Sequence, residues 1–179
     1  MMNLMSRSLR DPFHQDRDVL SRFRYGVIEV RDGALWAIHV RRWPKVISAL
    51  EVEWIGHRRH RQSPGDQCLL YYNQPRCHAN YLALKYVVSR RDCRLATFHR
   101  ALEALDEVAR VKQSDAILCD VFNERITDRM LAQRGWEPHH PRRWHRHYIK
   151  RFYGAYPPPR IDDWQTEPAA DAAGTPVPA

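Results

Sequence analysis

The chain has 179 residues, 44% of them hydrophobic, with 29 Lys and Arg against 21 Asp and Glu and a formal charge of +8 at neutral pH. A chain of that length buries a core without disulfide or metal staples, and that apolar fraction excludes a wholly disordered protein. No apolar run approaches the roughly 20 residues of a membrane span.

The opening Met1-Met2-Asn3-Leu4-Met5 meets Ser6-Arg7 too soon for a signal peptide, so a cytoplasmic protein with no membrane partner is expected. The positive charge favours anionic partners without selecting among nucleic acid, a phosphorylated cofactor and an anionic surface. Cys68, Cys77, Cys93 and Cys119 form no C-x-x-C pair and match no zinc module. Reduced, unligated cysteines and no metal are expected, Cys77-His78 being only half a ligand set.

In chain order, residues 1–22 are polar, mixed in charge and weakly periodic, and read as a loosely ordered arm. Tyr25–Val30 reads as a strand, Arg31-Asp32-Gly33 as a turn, and Ala34–Val40 as the returning strand. Residues 45–54 read as helix because Val46, Ile47, Leu50 and Trp54 share a face, although Val52 and Ile55 also suit a strand. Ser63-Pro64-Gly65-Asp66 is a turn, followed by strands at Cys68–Tyr72 and Tyr81–Val88.

Leu95, Phe98, Leu102, Leu105 and Ala109 then recur at helical steps with charges on the other face, Asp106 and Arg110 forming an i,i+4 pair. Asp115–Phe122 is a nearly continuous apolar run, as in a strand covered on both faces. Asn123 caps a helix carried by Ile126, Met130 and Leu131 and stopped by Gly135, and a hairpin runs from Trp136 to Phe152. Strand–helix–strand order implies a parallel pair near the middle of the sheet. From Pro157 the composition turns to Pro, Ala, Gly and Thr, which favours disorder. One α/β domain over about 23–156, between an arm and a 157–179 tail, is expected.

The series Tyr81–Val88, the helix from Leu95, Asp115–Phe122, Asn123, Gly135-Trp136 and Arg146–Lys150 resembles the back half of the GNAT family of N-acetyltransferases, over about 70 residues. The resemblance implies a mixed central sheet flanked by helices, and acetyl-CoA or another acyl-CoA as co-substrate. It also implies transfer to a small-molecule or protein amine, with Val88, Arg90, Arg91, Arg94 and Asn123 as coenzyme contacts.

Two departures stand out. The family's phosphate loop uses glycines to turn backbone N–H groups onto the pyrophosphate, whereas Ser89-Arg90-Arg91-Asp92-Cys93-Arg94 has none. Either the arginine side chains grip phosphate instead, or the loop is simply solvated. Where many members carry a Tyr that protonates the leaving thiolate, Met130 or Leu131 stands, and neither transfers a proton. Asn123 reads equally as coenzyme contact or bare helix cap. His39 and Glu53 are the candidate bases, against the plainer reading of surface or structural groups.

Between Glu137 and Asp162 no acidic side chain occurs, while His139–Tyr153 interleaves cations with aromatics such as Trp144 and Tyr148. That pattern suits a nucleic acid or another polyanion, and equally a solvated hairpin with aromatic anchors. An acyl-CoA-dependent N-acyltransferase or a close descendant is therefore the first expectation. A non-enzymatic module of the same shape, holding nucleic acid or another polyanion, is the second. The sequence leaves open whether the chain is an enzyme.

Overall fold

The computed structural model of the chain describes residues 6–42, 65–121, 126–139 and 146–158. Its elements run β1 (Ser6–Leu9), α1 (Arg17–Arg22), β2 (Tyr25–Arg31), β3 (Ala34–Arg41), β4 (Gln67–Asn73), β5 (Tyr81–Ser89) and α2 (Leu95–Val111). Then follow β6 (Ala116–Asp120), α3 (Asp128–Ala132), β7 (Glu137–Pro138) and β8 (His147–Arg151). The strands form one sheet in the order β1-β3-β2-β4-β5-β6-β8-β7. Among the described residues only β5 and β6 pair in parallel, as the strand–helix–strand order implies.

Local chemistry explains the turns. Asp32 and Gly33 both take positive φ, 49° and 78°. A two-residue hairpin needs that backbone to match the twist of its strands, so Arg31 closes directly onto Ala34. Gly26 is demanded by packing: a Cβ there would stand 2.5 Å from the Tyr72 hydroxyl.

Alternation along the strands decides the two faces of the sheet. Ile28 and Val30, Ile38 and Val40, Cys68 and Leu70, Leu82 and Ile117 turn to one side. There they meet Ala101, Ala104, Leu105 and Val108 of α2, which lies across β2, β3 and β4. Each buried Leu or Ile on this inner face contributes roughly 2 kcal/mol of transfer free energy. The first inward position of α2 belongs to Thr97, fully buried, rather than to Leu95, which is 53% exposed.

The N-terminal segment corrects the reading of residues 1–22 as a loose arm. Residues 6–9 add an antiparallel strand to β3, and Leu9, Phe13 and Leu20 are buried in the core. The α1 helix is held by a distant side chain: Lys112 Nζ donates to the carbonyls of Leu20 (2.9 Å), Ser21 (3.3 Å) and Phe23 (2.6 Å). Three C-terminal carbonyls of a short helix thus gain the partner that water would otherwise supply.

Two pairings also differ from the sequence reading. Asp106 bonds Lys150 (2.7 Å), while Arg110 pairs with Glu107 one turn back. The α3 helix is capped by Thr127, whose Oγ1 accepts from the Met130 N–H at 3.3 Å, so Asn123 is not its cap. Gly135 ends the helical region at φ 78°, and Trp136 beyond it is buried. The proposed helix at 45–54 lies outside the described residues. At the other end, Tyr156 stacks on Phe152 (4.9 Å between centroids) and its hydroxyl donates to the Ser114 carbonyl. Among the described residues no helix is long and apolar enough to cross a membrane.

Candidate functional site

The parallel pair opens a cleft. Pairing of β5 with β6 runs from Tyr81↔Ala116 to Leu84↔Cys119. Beyond it, β5 stays with β4, but Tyr71 pairs with Tyr86 and Tyr72 with Leu84, which leaves Lys85 as an extra residue in a bulge. A bulge bends its strand and sharpens the local twist. Here it carries the second half of β5 away from β6. The resulting wedge holds a cavity of about 190 Å³, walled by Leu84, Val87, Phe98, Leu131 and Trp136. Lys85, Tyr86 and Asp120 border it too, so an apolar slot has polar groups along its rim.

At the end of β5, the loop before α2 is built around a carboxylate. Asp66, 8% exposed, accepts from the Arg94 N–H (2.8 Å) and from the Thr97 hydroxyl (2.6 Å). It satisfies an orphan donor at the start of α2 and places negative charge at the positive end of the helix dipole. The Arg90 amide donates to the Gln67 carbonyl (3.0 Å) and the Cys93 amide to the Arg90 carbonyl (3.2 Å). The backbone donors of Arg90, Cys93 and Arg94 are thus engaged within the protein. The anion at the head of α2 is the chain's own.

The coenzyme candidates fall around this loop. Val88 is half-buried on β5, opposite Leu69. Arg90 is half-buried against Gly65, where a Cβ would stand 3.2 Å from its Nη1. The Arg91 and Arg94 side chains are exposed, Arg94 lying 3.7 Å from Asp66. Asn123 lies outside the described residues, as does Glu53. Leu131 walls the cleft, and Met130 beside it is half-buried. The buried Cys68 and half-buried Cys93 also meet here. The neighbouring Cys93 thiol, with burial added, pushes the Cys68 thiol up, and Cys68 in turn holds Cys93 down. All four cysteines are free.

His39 stands elsewhere. It lies on the outer face, away from α2, with β2 and β4 between its strand and β5. At about 4.8 Å per strand that is roughly 14 Å from the cleft, too far for direct proton transfer. Its Nε2 lies 2.8 Å from Glu29 Oε2 and its Nδ1 2.8 Å from Ser8 Oγ. Glu29, 6% exposed, also accepts from Arg31 Nε (2.7 Å) and from Gln67. Burial alone would raise the Glu29 carboxyl, but the bonds from His39 and Arg31, with the Arg31 charge, reverse that and hold it at about 2. Sequence reasoning missed Ser8, Glu29 and Asp66, because, apart from Arg31 beside Glu29, their partners are 10 to 38 residues away along the chain.

The basic hairpin is internally matched where it is described. Arg146 reaches Asp128 (2.5 Å), His147 lies 3.7 Å from Asp120, Lys150 bonds Asp106 and Arg151 bonds Glu137. Acidic partners absent from the run itself arrive from α2, α3, β6 and β7. Tyr148 is buried and donates to Asp128, so it does not offer a stacking face. Trp144 lies outside the described residues. Among the described residues no group of His, Cys, Asp and Glu is arranged to hold a metal ion. No family model, curated protein or solved structure matches the chain.

Proposed function

We propose that the chain is an acyl-CoA-dependent N-acyltransferase, or a close descendant of one, acting on an amine. The observation that carries this reading is the wedge between β5 and β6, with its apolar slot of about 190 Å³ beside an arginine-bearing loop. A slender thioester arm fits such a slot, and backbone groups beyond the last paired rung give its amides partners. Arg91 and Arg94 meet the coenzyme phosphates by charge-assisted hydrogen bonds from their side chains, since the neighbouring amides are engaged. Chemistry in this reading is positioning: the amine attacks the thioester carbonyl directly, and the protein holds both and accepts a proton.

A second reading, a coenzyme-free module that binds nucleic acid or another polyanion, is favoured by Asp66. Its carboxylate occupies the head of α2 and repels a pyrophosphate placed there. The internal pairing of β8 counts against the hairpin as the polyanion surface.

Thermal unfolding with and without saturating acetyl-CoA separates the two. Ligand at about 100 times its dissociation constant stabilises the native state by roughly 2.7 kcal/mol, a rise of several degrees for a chain this size. The acyltransferase reading expects that rise and expects Arg91→Ala to shrink it. An unmoved midpoint, with binding to a duplex oligonucleotide that weakens steeply with salt, would establish the second reading instead.

A further inference from the structure

The outer face of the sheet carries a hydrogen-bonded chain that the cleft does not use. Ser8 on β1 and His39 on β3 are direct cross-strand partners, and His39 lies beside Glu29 of β2 on the same face. Because Glu29 is held ionised by Arg31, it only accepts, so the His39 Nε2 facing it at 2.8 Å carries the proton. In the neutral ring this leaves Nδ1 as the lone pair, and Ser8 Oγ lies 2.8 Å from it, within reach to donate. A hydroxyl donating to an imidazole whose far nitrogen is fixed by a buried carboxylate is the arrangement of an activated nucleophile. The ring here is turned so that Nδ1, rather than Nε2, faces the serine, which leaves the proton chemistry the same.

The surroundings are cationic. Arg10, two residues beyond Ser8 on the same face, lies over Trp36 (4.5 Å), and Arg31 lies over the same ring (4.4 Å). Arg41 follows His39 by two residues on β3. Ser8 itself is exposed on a strand at the edge of the sheet. We infer that Ser8, His39 and Glu29 form a second reactive site, a serine nucleophile with its base and a positioning carboxylate, that takes small, solvent-presented acyl esters, preferably with an anionic group.

Ser8 Oγ attacks the ester carbonyl, its proton passing to His39 Nδ1, and the bond to the leaving alcohol breaks as that alcohol takes the proton. Water then adds to the acyl-serine, gives its proton to Nδ1, and releases the carboxylic acid as Ser8 Oγ regains the proton. No oxidant, metal or coenzyme enters the balance.

The test treats the full chain with a fluorophosphonate, which forms a P–O bond to an activated serine and expels fluoride, and maps the adduct by peptide mass spectrometry. A single adduct on Ser8 is expected, absent in Ser8→Ala and formed at least about 100-fold more slowly in His39→Gln, the scale of a lost general base. Hydrolysis of p-nitrophenyl acetate should fall in parallel. Circular dichroism of each variant separates lost reactivity from lost fold, and Ser8→Ala, at an exposed position, keeps the fold. The positioning role of Glu29 is read from the ring 15N shifts of His39: the Nε2–H tautomer in the native chain, a mixture in Glu29→Gln. No adduct on Ser8, or an adduct whose rate is indifferent to His39, would overturn the inference.

Discussion

Glu29 is one carboxylate on a sheet face, and its ties make stability depend on acid. Its ordinary carboxyl value is 4.5 and the folded chain holds it at about 2. A depressed acid stabilises the fold above its unfolded value and loses that contribution as pH falls through 4.5 toward 2. The difference is worth at most roughly 3 kcal/mol, reduced where water reaches the sheet face. Melting curves for native chain and Glu29→Gln should therefore diverge at pH 7 and converge near pH 2. Equal separation at both values would show that the loss is packing rather than charge. At this scale the sequence disclosed little. A reader could single out His39 as a candidate base, yet Ser8 and Glu29 become its partners only through the β1–β3 and β2–β3 registers. Asp66 likewise looks like a turn residue until Arg94 and Thr97, 28 and 31 positions on, close upon it.

Elements with their own periodicity were easier to read. The α2 helix carries apolar residues at helical steps over 17 residues, and it forms where that pattern places it. Its buried residue Leu105 is 0% exposed while Leu95 stands out in solvent, although both sit on the same expected stripe. Leu105→Ala should cost about 2–5 kcal/mol by urea denaturation, and Leu95→Ala less than about 0.5 kcal/mol. Comparable losses would mean that Leu95 is covered in solution. The β5–α2–β6 order likewise announced its parallel pair. The bulge at Lys85 did not announce itself, because it is a mismatch of two strands rather than a property of either. The cap of α3 is hidden for a related reason: the helix starts at Asp128, later than the first polar residue that can cap one.

For the whole molecule, the largest correction concerns the N-terminus. Four strand residues and a six-residue helix are too short to be legible by pattern, and Leu9, Phe13 and Leu20 stand isolated among charges. Tertiary packing, not local preference, makes them structure. Their burial is worth roughly 6 kcal/mol together, against a total stability on the order of 5–15 kcal/mol. Deleting residues 1–22 should therefore abolish cooperative thermal unfolding, as followed by circular dichroism. A truncated chain that melts like the full one would return the segment to the status of a loose arm.

The strap from Lys112 has a consequence in time. Leu20 and Lys112 are 92 positions apart, so on the ribosome α1 is complete long before its cap exists. At about 5–20 residues per second the wait is roughly 5–20 s. For that interval the apolar side chains of Leu9, Phe13 and Leu20 are unburied, unanchored and available to a chaperone. The α1 helix is made early and capped late.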